Sequence, residues 1–252
     1  MITSTLAEVA AANLLATYFT LGAASPGSRI WHEPGFTACF AEWEHPICNF
    51  AANVKLSSEV ASRLAQLAGE RPNFNVYTFD ALLSSHNCLE LAGFKVRTRL
   101  VQMAWEPEEF APVVQRPLAH PEGRQEIAHF MAWQFFGNQT ADYRARLAET
   151  IVNARDLELV SFFHGRELAA AAMLSCSPEE ILGVYNLCVK SSLRGRGWGR
   201  DLMLAIEAMA WQKHQTVILQ CDASLKQWYA QVGFTQIGGV DIWGLPHERS
   251  LL

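Results

Sequence analysis

Leu193-Arg194-Gly195-Arg196-Gly197-Trp198-Gly199-Arg200 joins an apolar run at 182–189 to a stretch with Leu202, Ile206, Met209 and Ala210 on one helical face. Its glycines let a backbone approach a ligand without obstruction by Cβ. The helix that follows offers unpaired N–H groups and the positive end of its dipole. Lys190, Arg194, Arg196 and Arg200 add positive charge, with no acid among them. Glycines, cations and a helix start in one place predict an anion site suited to phosphate or pyrophosphate. A Walker loop would close on Lys-Ser/Thr, but here Arg200-Asp201 follows. The dinucleotide fingerprint G-x-G-x-x-G has a different spacing from G-x-G-x-G and belongs near the start of a βαβ unit.

Working outward, apolar residues at helical spacing predict helices over 122–136 and 141–154. Two apolar runs, 157–164 and 168–175, flank Gly165-Arg166 and predict a hairpin. Strands follow at 182–189, 216–221 and 235–243, with a short helix at 224–231. The first half echoes this order, with strands predicted at 31–42, 47–56, 74–79 and 95–105 and helices at 58–67 and 81–91. Strands alternating with helices give an α/β or α+β class with a mixed sheet. Two local matches support an internal repeat. Leu91-Ala92-Gly93-Phe94 parallels Gln231-Val232-Gly233-Phe234, and Val54-Lys55 parallels Val189-Lys190. Between the halves, Pro107, Pro112, Pro117 and Pro121 disfavour helix, which places a linker at 106–121 and domains at 1–105 and 122–252.

The chain has 252 residues, 50% hydrophobic and 18% charged, enough apolar material for folded cores and too much for a disordered chain. Its net charge is −5 and neither half is basic, so nucleic acid is not an expected partner. No apolar run is read as a membrane span, and Glu8 interrupts an N-terminus that lacks a basic start, so no secretory signal is read. Cys39, Cys48, Cys88, Cys176, Cys188 and Cys221 form no C-x-x-C pair and are expected to be reduced thiols. Together these features predict a cytoplasmic protein, a monomer or homodimer. Trp31-His32-Glu33 and Glu42-Trp43-Glu44-His45, with Cys39 and Cys48 nearby, lack the tight ligand pairs of zinc motifs, and no metal is expected.

Arg194-Gly195-Arg196-Gly197-Trp198-Gly199 after a strand, with Trp228-Tyr229-Ala230-Gln231-Val232-Gly233-Phe234 later, resembles the GNAT superfamily of acetyl-CoA-dependent N-acetyltransferases. The resemblance covers about 118–246 and is weak over 1–105, which looks like a degenerate copy. It implies two GNAT-like domains, each a mixed, mostly antiparallel sheet flanked by helices. It also implies acetyl-CoA as cosubstrate and a primary amine of a small molecule or peptide as acceptor. Leu187, Cys188 and Val189 would form the splayed strand that pairs with the pantetheine arm, with the Val189 N–H facing the thioester oxygen. The amides of Arg194, Gly195, Arg196, Gly197, Trp198, Gly199 and Arg200 would hold the pyrophosphate. Asp222 stands where the family often has asparagine. Tyr229 would protonate the leaving thiolate.

The chemistry of thioester aminolysis independently suits a backbone donor for developing oxyanion charge and a phenol for the thiolate. For the base, residues 183–188 offer no carboxylate, Glu179 and Glu180 suit a solvated turn, and Asn186 could only orient a water or the amine. No base is assigned. Phe130, Trp133, Phe135 and Phe136 suit either an acceptor pocket or a helix core face. The first half's Val54-Lys55-Leu56-Ser57-Ser58-Glu59 has no glycine, Glu59 has the wrong sign for phosphate, and Leu89 falls at the place of Tyr229. The first half is therefore expected to bind no CoA and to shape the acceptor entrance. A non-catalytic acyl-CoA-binding or sensory module is the alternative function.

Overall fold

A computed structural model describes residues 5–71, 73–80, 87–116, 118, 123–178 and 180–246. The first half contains helix α1 (Leu6–Ala24), strands β1 (Arg29–Glu33), β2 (Phe36–Phe40) and β3 (Phe50–Ala52), helix α2 (Ser58–Glu70), strand β4 (Asn75–Phe79), helix α3 (Asn87–Leu91) and strand β5 (Lys95–Trp105). The second half contains helices α4 (Arg124–Phe136) and α5 (Ala141–Asn153), strands β6 (Glu158–His164), β7 (Glu167–Ser177) and β8 (Ile181–Val189), helix α6 (Trp198–Gln212), strand β9 (Thr216–Asp222), helix α7 (Lys226–Ala230) and strand β10 (Thr235–Gly244).

The ten strands of the described residues form one sheet, ordered β1-β2-β3-β4-β10-β5-β9-β8-β7-β6. Read from either edge inward, the pairing is the same: two antiparallel steps, one parallel step, then an antiparallel partner from the other half of the chain. The two exchanged strands, β5 and β10, pair antiparallel at the centre. Each half thus supplies a strand to the other's ladder, which removes two exposed sheet edges. One face of the sheet carries the apolar core beneath α1, α4 and α5, including Leu14, Leu21, Ile127, Met131 and Ile151. The opposite face packs α6 and α7 over β7–β9 and α2 over β2–β4.

The turns that join these elements follow local chemistry. After α7, Gly233 takes a left-handed φ of 91° and the Phe234 N–H donates to the Tyr229 carbonyl at 3.1 Å. After α3, Gly93 takes the same φ and the Phe94 N–H donates to the Leu89 carbonyl at 3.0 Å. Glycine closes both helices because it occupies this region without a Cβ penalty. The Lys55 and Lys190 amides likewise both bond back to the neighbouring hairpin, at Gly35 and Ala169. Both sequence matches therefore sit at corresponding places in the sheet.

Several expectations change. The strand predicted at 31–42 is a hairpin, β1 and β2, turned at Pro34-Gly35, where Gly35 has a φ of 100°. The strand predicted at 47–56 is a 3-10 turn, Pro46–Cys48, followed by only β3. Residues 81–86 of the helix predicted at 81–91 lie outside the described residues, as do Pro117, Pro121 and Glu179. The N-terminal run, read as neither signal nor span, is a 19-residue helix whose mean hydropathy of 1.3 would suit a membrane. Here it is a core helix, capped by a reciprocal Thr5–Glu8 box. All six cysteines are free thiols. His45 packs among Trp43, Phe136 and Tyr143, where burial pushes its imidazole down to about 4, and no metal-ligand cluster occurs among the described residues.

Candidate active site

A cavity of about 670 Å³ lies where β8 parts from β9. The parallel ladder between them ends at Val184↔Leu219, after which β9 continues along β5 while β8 continues along β7. Residues 185 to 189 thus leave one flank of β8 without a strand. Opposite them, β7 skips a step: Met173 faces Tyr185 and Ala171 faces Cys188, so Asn186 and Leu187 bulge against one residue. Asn186 takes a left-handed φ of 50° in this bulge. A bulge twists and bends its strand, here away from β9.

The glycine turn closes one end of the cavity. Gly195 and Gly197 have φ of 74° and 83°, and a Cβ at either would meet nothing within 4 Å. Their glycines are therefore explained by backbone conformation rather than by lack of space. Gly199 differs: a Cβ there would stand 3.4 Å from Val189 and 3.6 Å from Trp228, so its small size lets α6 approach the end of β8. Gly197 gives α6 no side-chain cap, and the first helical bond runs from the Asp201 N–H to the Gly197 carbonyl at 2.9 Å. The N–H groups of residues 195 to 200 have no backbone partner among the described residues. Donors left unpaired at a helix start are what an anion needs.

Of the sequence-predicted site residues, Leu187, Cys188, Val189, Arg194, Gly195, Gly197, Trp198, Gly199, Arg200 and Tyr229 all line this one cavity. Arg196 does not; its side chain is exposed beside it. Lys190 leaves the expected cationic set, because its Nζ is 2.5 Å from the Glu167 carboxylate across the hairpin. Asp222 is occupied locally: it accepts from the Ser224 N–H at 2.8 Å, and hydrogen bonding from the Ser224 side chain and then its backbone holds the carboxyl below the usual range. Glu180, at the turn, offers its carbonyl to the Thr216 N–H. Phe135 lines the cavity and Phe130 and Trp133 line a neighbouring one, while Phe136 packs in the His45 cluster.

Tyr229 is 8% exposed and its ring packs edge-on to Trp228 and Phe234. Burial raises its phenol well above the ordinary tyrosine value, so it stays protonated through neutral pH. No carboxylate lines the cavity among the described residues.

Four contributors were not among the expected site residues. Gln134, Leu225 and Trp228 complete the cavity wall, and only the neighbour of Tyr229 carried a signal. Arg116, from the proline-rich segment, lies 4.1 Å over the Trp198 ring and pairs with Asp201 in the first turn of α6. It thereby offsets the one acid at the helix start. Its charge alone, in a segment read as linker, gave no hint of this.

Among its described residues, the first half lacks these features. Its β3 and β4 also part, after Ala51↔Val76, but Ser57 caps α2 by accepting from the Val60 N–H at 3.2 Å. Leu89, fully buried, packs in the core beneath α2 and offers no hydroxyl.

Residues 119–241 match the family model of the acetyltransferase (GNAT) domain. No curated protein sequence matches the chain. Among solved structures, a GCN5-related N-acetyltransferase from Kribbella flavida is similar over 98% of both chains, at 15% identity and a TM-score of 0.64. A functionally unknown conserved protein from Staphylococcus epidermidis covers 88% of this chain and is covered over 95% of its own, at 14% identity and a TM-score of 0.61. A tandem GNAT protein from the clavulanic acid biosynthesis pathway is similar over 87% of this chain and 83% of its own, at 11% identity and a TM-score of 0.58. Residues 119–241 thus match the GNAT acetyltransferase domain model, and the chain as a whole has a mixed α/β, GNAT-like fold.

Proposed function

We propose that this protein transfers an acetyl group from acetyl-CoA to a primary amine of a small molecule or peptide. One observation carries the reading: the unpaired edge of β8, the turn whose amides at Gly195 and Gly197 to Arg200 have no backbone partner, and Tyr229 border a single cavity. These groups match acetyl-CoA in order, with an edge for the amide-bearing pantetheine, donors for the pyrophosphate and an acid for the sulfur. Arg194 and Arg200 add positive charge at the pyrophosphate end, and Arg194 is steadied by donating Nε–H to the Val189 carbonyl at 3.3 Å.

Acetyl-CoA supplies the activated acetyl group as a thioester. The β8 amides, Val189 N–H among them, take up charge on the carbonyl oxygen as the amine attacks. As the C–N bond forms and the C–S bond breaks, the Tyr229 hydroxyl gives its proton to the departing sulfur, and the amine's proton leaves to solvent. Tyr229 is protonated at neutral pH and so has a proton to give, which solvent later restores, although burial makes its phenol a weaker acid than a free tyrosine. With no carboxylate among the described residues that line the cavity, deprotonation of the amine is left to water.

We read the first half, 1–105, as a degenerate copy of the same fold, joined through 106–121 to the catalytic copy at 122–252. The mirrored pairing of the two sheet halves and the matching Gly93 and Gly233 turns support this. The capped α2 and Leu89 argue that the first copy holds no CoA.

The lack of a carboxylate also favours a second reading, a non-catalytic acyl-CoA-binding module. Acetyl-CoA affinity by calorimetry, followed by acetyl-CoA turnover against a panel of amines, separates the two. Turnover with an amine supports the enzyme, binding without turnover supports the module, and absence of binding refutes both.

A further inference from the structure

We propose that the first half of the chain sets the shape of the cofactor strand, with Asn13 as the positioning residue. This rests on the acetyl-CoA reading of the cavity. Asn13 lies in the middle of α1, in the first half, yet its side chain enters the second half's ladder. There it is only 2% exposed. Its amide donates to the Ser175 carbonyl of β7 at 3.2 Å, and its carbonyl oxygen accepts the Tyr185 O–H of β8 at 2.6 Å.

The two contacts straddle Gly183. Gly183 pairs with Ser175 in the β7–β8 ladder, and a Cβ added to it would stand 2.1 Å from Asn13 Oδ1 and 2.6 Å from the Tyr185 ring. Glycine at 183 is thus the slot that admits Asn13. The helix side is fixed as well: the Thr17 hydroxyl donates to the Asn13 carbonyl at 2.8 Å, and Tyr18 packs against Tyr77 and Tyr185.

The position of the anchor along β8 gives it its consequence. Val184 is the last residue paired with β9, Tyr185 is the last before the skipped step, and Asn186 is the left-handed residue. Asparagine tolerates the left-handed region, but a bulge interrupts the ladder, so its place along the strand is held by the residues that flank it. The polar anchor at Tyr185 supplies that constraint from the side of the sheet opposite α6. If Tyr185 slid by one step along β7, the free amides of Leu187 and Val189 would turn away from the cavity, since side-chain and amide directions alternate along a strand. A buried hydroxyl and amide that satisfy each other across 172 residues are a costly pair to lose singly, and so define one register.

Tyr185→Phe keeps the ring and removes the anchor; Asn13→Leu removes both contacts at similar volume. The first readout is hydrogen exchange of the β7-paired amides between residues 185 and 189. We expect at least about tenfold faster exchange there in Tyr185→Phe, with exchange in β6 and α6 unchanged. Unaltered exchange at 185–189 overturns the inference, whether or not acetyl-CoA binds. The second readout is acetyl-CoA affinity by calorimetry at a temperature where the variants are folded. We expect roughly five- to twentyfold weaker binding, with Asn13→Leu/Tyr185→Phe no worse than Asn13→Leu alone, because one contact is shared. A lowered melting temperature with wild-type affinity makes Asn13 a packing residue and also overturns the inference. If wild-type protein fails to bind acetyl-CoA, the functional reading falls, and the exchange result alone decides this one.

Discussion

Gly197 offers a way to isolate charge from conformation at the proposed pyrophosphate site. Its φ of 83° penalises most side chains, but Asn and Asp tolerate this region, and a Cβ would meet nothing within 4 Å. Gly197→Asn and Gly197→Asp are nearly isosteric, so both should fold and should match each other in stability to within about 0.5 kcal/mol. They differ by one negative charge. At about 5 Å from the nearest phosphate, with an effective dielectric between roughly 20 and 80, that charge costs about 1–3 kcal/mol per phosphate charge met. The corresponding loss in affinity is roughly 5- to 150-fold for Asp relative to Asn. Because Gly197 is exposed, the lower half of that range applies at physiological salt, and the gap should narrow as salt approaches 1 M. Calorimetric titration of acetyl-CoA into both variants at low and high salt measures it, with dephosphorylated acetylated pantetheine as a control that should not distinguish them. Equal acetyl-CoA affinity for the Asn and Asp variants, within twofold at low salt, would refute the assignment of the pyrophosphate to this turn.

Tyr229→Phe should lower kcat by at least about tenfold while leaving acetyl-CoA affinity and folding little changed, as a lost general acid does; a wild-type rate where chemistry limits turnover would make Tyr229 a packing residue. Arg116→Ala removes the stack on Trp198 and leaves Asp201 unpaired at the helix start, so acetyl-CoA binding should weaken by roughly three- to tenfold with kcat nearly unchanged, on the order of the 0.5–1 kcal/mol of an exposed cation–π contact plus the freed acid. Unchanged affinity there would mean that the 106–116 segment merely covers α6. Glu207, 1% exposed on α6, has its carboxyl raised to about 8 by burial, so the folded state holds a proton that the unfolded state releases. Its contribution should therefore make stability fall as pH rises from about 5 to about 8, and Glu207→Gln should flatten that part of the wild-type curve in denaturant titrations; identical pH slopes in the two proteins would show that Glu207 ionises normally.

What the chain determines by itself is what neighbours in sequence can decide. The glycine turn at 195–199, the left-handed closures at Gly93 and Gly233, the Gly165-Arg166 hairpin and the strand 95–105 all follow from local dihedral preferences and short-range periodicity. The co-location of Leu187 and Val189 with Arg194, Gly195, Gly197, Trp198, Gly199 and Arg200 was legible because a strand, a turn and a helix start lie within a few residues of one another, whereas Tyr229, some 30 residues on, was legible only through the resemblance that pairs the two motifs. Proline and glycine at 34–35 signalled the β1–β2 turn, but the apolar run around them concealed it.

The rest needed tertiary structure, for a physical reason: its partners are far apart in the chain and are selected by packing rather than propensity. The exchange of β5 and β10 sets residues 95–105 beside 216–222 and 235–244, a choice among sheet edges that no local pattern encodes. α1 has the composition of a signal or span, and only the sheet it covers makes it a core helix. Lys190 looked like a phosphate ligand until the hairpin carried Glu167 to it, and Arg116 looked like linker until the chain folded back over Trp198. Gly183 reads in sequence as a weak point in a strand. Its use appears only when Asn13 arrives from the other half to occupy the space that a side chain would have filled.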